Sequence, residues 1–204
     1  MSQKIKLVLA SGSPRRRELL SGLGIEFSIQ VSELNEDIEI VHPEEYVKHL
    51  SLGKAKEVAS RLKNECGSDE QILVLGADTI VVRDNHILNK PQTHEEAYSM
   101  LMSLSGRAHQ VYSGVSIVRL PDGYSKSIFG TTSVYFRKLS EPEARFYANS
   151  EEPMDKAGAY ALQGVASAFI QKVEGCYSNV IGLPVSDTVL LLREFGMRVM
   201  DSLT

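Results

Sequence analysis

The chain has only two cysteines, Cys66 and Cys176, too far apart in sequence for a metal-ligand spacing or a disulfide framework. Both are read as incidental thiols. No apolar run approaches about 18 residues, the length a membrane-spanning helix needs. The polar start, Met1 to Lys6, lacks the apolar segment of a secretory leader, so a cytoplasmic location is expected. Positive charge is not in excess. Lys and Arg number 22 against 26 Asp and Glu, a net charge of −4, which argues against a generic nucleic-acid binder but not against a small phosphorylated ligand. The five histidines, His42, His49, His86, His94 and His109, form no paired spacing, so no zinc site is expected. His42 and His94 are read as flanking helix starts and the other three as surface residues. The chain has no Walker A sequence, no G-x-G-x-x-G and no G-x-S-x-G elbow, so Ser11 and Ser13 are read as ligands or caps, not nucleophiles. There is no repeat or long linker, and 204 residues suit one domain, 1–204.

What is present starts with Ser11-Gly12-Ser13-Pro14-Arg15-Arg16-Arg17. An apolar run, Ile5 to Ala10, precedes it and reads as a buried strand. Glu18 to Leu23 reads as helix, with Ser13 as its cap and Pro14 in its first position. Three arginines in a first helical turn oppose the helix dipole, and an anion bound there corrects the imbalance. A strand, a small-residue loop and a helix start together form a common way of holding phosphate.

Further along, Phe27 to Val31 reads as a short strand and the acidic stretch Glu33 to Glu39 as a loop. From Pro43, Tyr46, Val47, Leu50, Val58, Ala59 and Leu62 recur at helical spacing. Ile72 to Val82 reads as a buried strand, Asp84-Asn85 as its turn, and Ile87-Leu88 as a short return. Thr93 to Glu96 and Ser140 to Glu143 are capping boxes, and Gly106 is a helix stop. Val111 to Val118 and Ser127 to Phe136 read as long strands joined around Pro121-Asp122-Gly123. Gly158 to Gly164 reads as a loop and Ala168 to Val173 as a strand. A last helix starts at Pro184 or Ser186, with Val189, Leu190, Leu192 and Phe195 as apolar contacts. This order predicts an α/β fold with a mixed sheet flanked by helices.

Several polar residues sit where they need explaining. Asp78, in Gly76-Ala77-Asp78-Thr79, interrupts an apolar strand. A buried carboxylate needs a partner, so Asp78 is either a site residue or a cap for a neighbouring loop. Lys90 is held extended by Pro91. Asp155 to Gly164 sets two charges beside small residues, then an aromatic and the amide of Gln163, an order that suits a phosphate-binding Lys156 and a base-reading Gln163. Glu36 and its acidic neighbours are a source of a metal carboxylate or simply a solvated loop. Lys54 and Lys56 face different sides of their helix, so at most one reaches a site.

Taken in order, Leu9-Ala10-Ser11-Gly12-Ser13-Pro14-Arg15-Arg16, Gly76-Ala77-Asp78-Thr79, Lys90-Pro91, Leu104-Ser105-Gly106, Asp155 to Tyr160 and Gly182-Leu183-Pro184 resemble the Maf family of nucleoside triphosphate pyrophosphatases, from about residue 5 to 196. The resemblance implies an elongated, two-lobed fold like the inosine triphosphatase-type enzymes, with a central cleft. It implies hydrolysis of a nucleoside triphosphate to the monophosphate and pyrophosphate with a divalent cation, Mg²⁺ or Mn²⁺, and it suggests a homodimer. Ala157 to Tyr160 followed by Gln163-Gly164 resembles the branch acting on dTTP and UTP, with CTP as a further substrate. By position Asp78 matches the proton acceptor. Arg15, Thr79 and Gln163 match specificity positions. Ser11, Arg16, Glu36, Lys54, Lys90 and Lys156 match residues lining the phosphates and metal, with Glu36 and Asp78 as metal ligands. Ala161, Ser51-Leu52-Gly53 and Arg17 depart from the family pattern. Two alternatives are kept: the same chemistry on a modified nucleotide such as 7-methyl-GTP, and a non-catalytic nucleotide-binding regulator of cell division.

Overall fold

The computed structural model describes residues 4–36, 38, 42–65, 67 and 70–199. The readings that fall on Met1–Gln3, Asp37, Glu39 and Cys66 lie outside the described residues. Seven strands form one mixed sheet: β1 (Lys4–Leu9), β2 (Phe27–Ile29), β3 (Glu70–Arg83), β4 (His86–Leu88), β5 (Ala108–Leu120), β6 (Ser125–Phe136) and β7 (Ile170–Glu174). The order is β2-β1-β3-β5-β6-β7, with β4 paired on β3. β1 runs parallel to β2 and β3, β4 antiparallel to β3, and β7 antiparallel to β6. The helices are α1 (Pro14–Ser21), α2 (Pro43–Leu62), α3 (His94–Leu104), α4 (Glu141–Ala148), α5 (Tyr177–Ile181) and α6 (Val185–Glu194). No helix among the described residues is long and apolar enough to cross a membrane.

The chain forms two compact units. One comprises the chain up to Asp78, Ser113–Phe129 and the chain from Gly182; the other comprises Thr79–Tyr112 and Gly130–Ile181. In the first unit, strand parity decides what faces what. Leu7, Leu9, Leu73, Leu75, Val115 and Ile117 face a core with Leu20 of α1 and Val189 and Leu192 of α6. Val8, Ile72, Val74, Val118 and Leu120 face the opposite way, onto Ala55, Val58 and Leu62 of α2. Each buried leucine or valine contributes about 1.5–3 kcal/mol.

Two glycines let α2 lie directly on the sheet. A Cβ on Gly76 would stand 2.1 Å from the Ser51 carbonyl oxygen, and one on Gly114 would stand 2.2 Å from that of Val47. Between them, buried Ser51 and Ser116 share a 2.7 Å hydrogen bond, and Ser116 reaches Ser127 at 2.7 Å. The two buried hydroxyls are thus satisfied.

The second unit has its own core, in which Leu101, Leu104, Val134, Phe136, Tyr147, Tyr160 and Phe169 are prominent. The turn Asp84-Asn85 has φ +49° and +63°, the geometry a two-residue hairpin requires.

Several expectations need correcting. Ser13 sits at the N-cap of α1 but makes no side-chain capping bond. Thr93 caps α3, accepting from the Glu96 N–H at 3.1 Å, while the Glu96 carboxylate accepts from Gln92 N–H at 2.7 Å. Only the Ser140 box is reciprocal. Residues Val165–Phe169 form a 3-10 turn closed by Ser167 on the Gly164 carbonyl, so β7 begins at Ile170 and not at Ala168. Leu190 is exposed, because the buried stripe of α6 runs through Thr188, Val189, Leu191 and Leu192 and leaves it on the opposite face; the Thr188 hydroxyl donates to the Pro184 carbonyl. His109, read as a surface residue, is only 3% exposed.

Candidate active site

In the first unit the chain leaves β1 at Ala10 and enters α1 four residues later. Ser11 organises the loop. Its Oγ accepts from the Ser13 N–H at 3.3 Å and from Arg16 Nη1 at 3.1 Å. Arg16 Nε donates to the Gly182 carbonyl at 2.9 Å. The arginine is thereby fixed between the loop and the segment before α6. Burial lowers its pKa from the ordinary value; the charge of Arg15 adds to that fall, while Asp78 and Glu36 oppose it. A guanidinium stays charged through such a shift. Arg15 is half-buried on the same turn, and Arg17 points to solvent.

Asp78 has the parity of Ile72, Val74 and Gly76, so it lies on the face of β3 that meets α2. Its answering residue is Lys54, at helical spacing from Val47, Leu50, Ser51 and Val58 on the buried stripe. Lys54 Nζ lies 2.7 Å from Asp78 Oδ1 and 2.9 Å from Glu36 Oε1. Asp78 is buried, so the lysine compensates a carboxylate that would otherwise be costly to desolvate. Gly53 explains how Glu36 gets there. A Cβ on Gly53 would stand 2.7 Å from Leu34 Cδ2, so the missing side chain seats Leu34 against α2 two residues before Glu36. The Glu33 N–H donating to Glu57 at 3.1 Å ties the same loop to the helix. Lys56 is exposed, as its offset from Lys54 requires.

Ser11, Arg16, Glu36, Lys54 and Asp78 thus form one cluster, with Arg15 in its electrostatic range. Two carboxylates from separate elements already converge on one cation, the Lys54 ammonium. That donor set, all oxygen and one part half-exposed, suits a hard divalent ion completed by water or phosphate oxygens. Among the described residues no group of three or more His, Cys, Asp and Glu is arranged to hold a metal unaided.

The second unit holds the other predicted residues. Thr79 follows Asp78 in β3 and is half-buried. Lys90 is exposed after β4. The neighbouring Asn89 carbonyl accepts from the Gly158 N–H at 3.1 Å, which joins the Lys90 segment to the 155–164 loop. Gly158 is required there: its φ is +68°, and a Cβ would stand 2.9 Å from Val81 Cγ1. Lys156 Nζ donates to the Glu152 carbonyl and to Asp155 Oδ1, the latter at 2.6 Å. Gln163 is exposed between half-buried residues and Gly164.

Sequence reasoning gave no role to two residues that hold this loop. Tyr160 is buried, and its hydroxyl lies 2.7 Å from Nε2 of His109. Burial pushes the Tyr160 pKa up and that of His109 down to about 4. Nothing in the histidine spacing marked His109. Its place in the alternation of β5, on the buried side with Val111, was the available signal.

A comparison with protein families matches residues 6–195 to the Maf-like protein family. Curated relatives match over nearly their whole lengths. A protein of Thermoanaerobacter sp. (strain X514), named dTTP/UTP pyrophosphatase, is 47% identical over 197 residues, covering 96% of this chain and 100% of the relative. Proteins of the same name from Hahella chejuensis (strain KCTC 2396) and Carboxydothermus hydrogenoformans are 46% and 43% identical, covering 95% and 94% of this chain and 94% and 100% of the relatives. With its loop-and-helix arginines, its paired Asp78 and the full span of these matches, the chain belongs to the Maf family.

Proposed function

We propose that this protein hydrolyses dTTP and UTP, with CTP as a further substrate, to the nucleoside monophosphate and pyrophosphate. The observation that carries this reading is the Lys54–Asp78–Glu36 cluster beside the Ser11–Arg16 loop. The names of the relatives support the substrate class. The net charge of −4 supports a small phosphorylated ligand over nucleic acid.

A triphosphate repels nucleophiles, so catalysis is mostly charge neutralisation and positioning. Ser11, Arg16, Lys54, Lys90 and Lys156 are assigned to the phosphates, and so is Arg15, because its place in the first turn of α1 outweighs its match to a specificity position. Asp78 is assigned as the proton acceptor: Oδ1 faces Lys54, and Oδ2 takes the proton of the attacking water. The water oxygen bonds to phosphorus at the α–β bridge, the bridging P–O bond breaks, and pyrophosphate leaves. Glu36 and Asp78 are assigned to hold Mg²⁺ or Mn²⁺, which supplies neutralisation of phosphate charge when bound. Thr79 and Gln163 are assigned to the base. The Gln163 amide offers both a donor and an acceptor, matching the N3–H and carbonyl edge of uracil and thymine.

The test is pyrophosphate release by purified protein with Mg²⁺ or Mn²⁺ on dTTP, UTP, CTP, GTP and 7-methyl-GTP. We expect dTTP and UTP to give the highest kcat/KM and EDTA to abolish turnover. A ranking headed by 7-methyl-GTP removes the pyrimidine assignment. Tight nucleotide binding without pyrophosphate release returns the regulator reading.

A further inference from the structure

Residues 155–164 form a backbone that is costly to hold. Gly158 and Gly164 have positive φ, and so does Ala159 at +60°, where a Cβ-bearing residue is strained. Ala159 is also fully buried, so the surroundings impose its conformation. Hydrogen bonds from its middle residues tie the segment to the rest of the unit. The Gly158 N–H donates to the Asn89 carbonyl at 3.1 Å. The Ala161 N–H reaches the buried Tyr147 hydroxyl, which also meets Glu152 Oε1 at 3.2 Å. Between them the Tyr160 hydroxyl meets His109 Nε2. The chain then surfaces at Gln163, three residues after Tyr160.

The His109–Tyr160 pair is a poor choice for stability alone. His109, Phe136 and Tyr160 stand edge to face, with centroids 4.9–5.2 Å apart. A third apolar ring would fill that place. Instead the imidazole brings two nitrogens into the core, and Nδ1 is buried with no hydrogen-bond partner among the described residues. Leaving such a group unmet is destabilising. The polar contact is directional: it fixes where the far end of the Tyr160 ring lies, in the stretch that leads to Gln163.

We propose that His109 is a positioning residue for the nucleotide site, acting through Tyr160 to hold the 155–164 loop so that Lys156 and Gln163 are presented in one fixed arrangement. This rests on the assignment of those two residues to phosphate and base. His109 touches neither substrate nor reacting atoms. Its loss therefore weakens substrate placement and base discrimination more than the chemistry itself.

The experiment compares wild type, Tyr160→Phe, His109→Leu and His109→Gln for kcat and KM on UTP and GTP, with melting temperature measured in parallel. Tyr160→Phe removes one oxygen and keeps the ring. We expect Tyr160→Phe and His109→Leu to raise the UTP KM about tenfold and to lower the UTP:GTP ratio of kcat/KM by a similar factor. His109→Gln retains a polar partner for the hydroxyl and should restore most of both. Folded Tyr160→Phe and His109→Leu proteins with UTP KM and base ratio within about twofold of wild type overturn the inference, even if their melting temperatures fall. Wild-type protein that turns over no pyrimidine triphosphate removes the functional reading itself, and this inference with it.

Discussion

Lys54 Nζ lies 2.7 Å from Asp78 Oδ1, joining the sheet-facing stripe of a helix to the carboxylate set inside the apolar stretch 72–82 of β3. A second carboxylate, Glu36, shares the same ammonium at 2.9 Å but is half-exposed. The buried partner is the costly one, and it is paired. The exposed one remains accessible to a ligand.

Replacing Asp78 by Asn removes the proton acceptor while keeping the side-chain shape. Turnover should fall by about 10²–10⁴-fold, the usual cost of losing a general base. Nucleotide affinity, measured by calorimetry, should change much less. A folded Asp78→Asn protein with near-normal kcat would remove Asp78 from the mechanism.

Arg15 and Lys90 are assigned to phosphate, which every triphosphate presents alike. Arg15→Ala and Lys90→Ala should each weaken kcat/KM by about 10–100-fold, the range for a hydrogen bond to a charged group. The losses for UTP and GTP should run in parallel. A loss confined to one base contradicts the assignment.

Much of this was legible in the sequence, for identifiable reasons. The strand–loop–helix at Ser11 was readable because Pro14 and the apolar run of β1 bracket it. Asp78 stood out because a carboxylate inside a buried strand demands a partner. Lys54 was legible only in part: its offset from Lys56 lets at most one of the two reach a site, and only the family resemblance picked Lys54. The partner relation itself was not legible, since nothing local links residue 54 to residue 78. His109 was misread because isolated polar residues are usually surface residues, and only the alternation of β5 says otherwise. The 3-10 turn Val165–Phe169 and the short α5 carry too few residues to show a period. The buried Asn179 of α5 is held instead by long-range bonds to the Val111 carbonyl and Thr132 Oγ1.

Gly76 sets the distance at which Lys54 meets Asp78. A Cβ there would stand 2.1 Å from the Ser51 carbonyl oxygen and 2.8 Å from the Ala55 nitrogen, both backbone atoms that cannot rotate away. Gly76→Ala must therefore push α2 off the sheet. We expect a loss of about 1–3 kcal/mol or more in urea unfolding, as for overpacked cores, together with reduced turnover. Unchanged stability would mean that α2 can move freely, and that its contact does not fix Lys54.

The last prediction concerns acid. Burial lowers the pKa of His109 from its usual 6.5 to about 4 in the folded protein. Between these values the unfolded chain binds a proton that the native state refuses, so stability rises with pH. The contribution is fully present above about pH 6.5 and is lost as pH falls toward 4. Between pH 7 and pH 5 the loss from this one residue should be about 2 kcal/mol. Glu143 acts later. Its hydrogen bond from Arg137 holds its pKa at about 2, against the usual 4.5, so its contribution persists above 4.5 and fades only below it. The two windows barely overlap, which makes the histidine separable. Urea unfolding at pH 7, 6 and 5 should show the slope in wild type and a flatter dependence in His109→Gln, whose amide does not titrate. Equal slopes in the two proteins would mean that His109 takes up its proton in the native state as readily as in the unfolded chain, and that its burial does not hold it neutral.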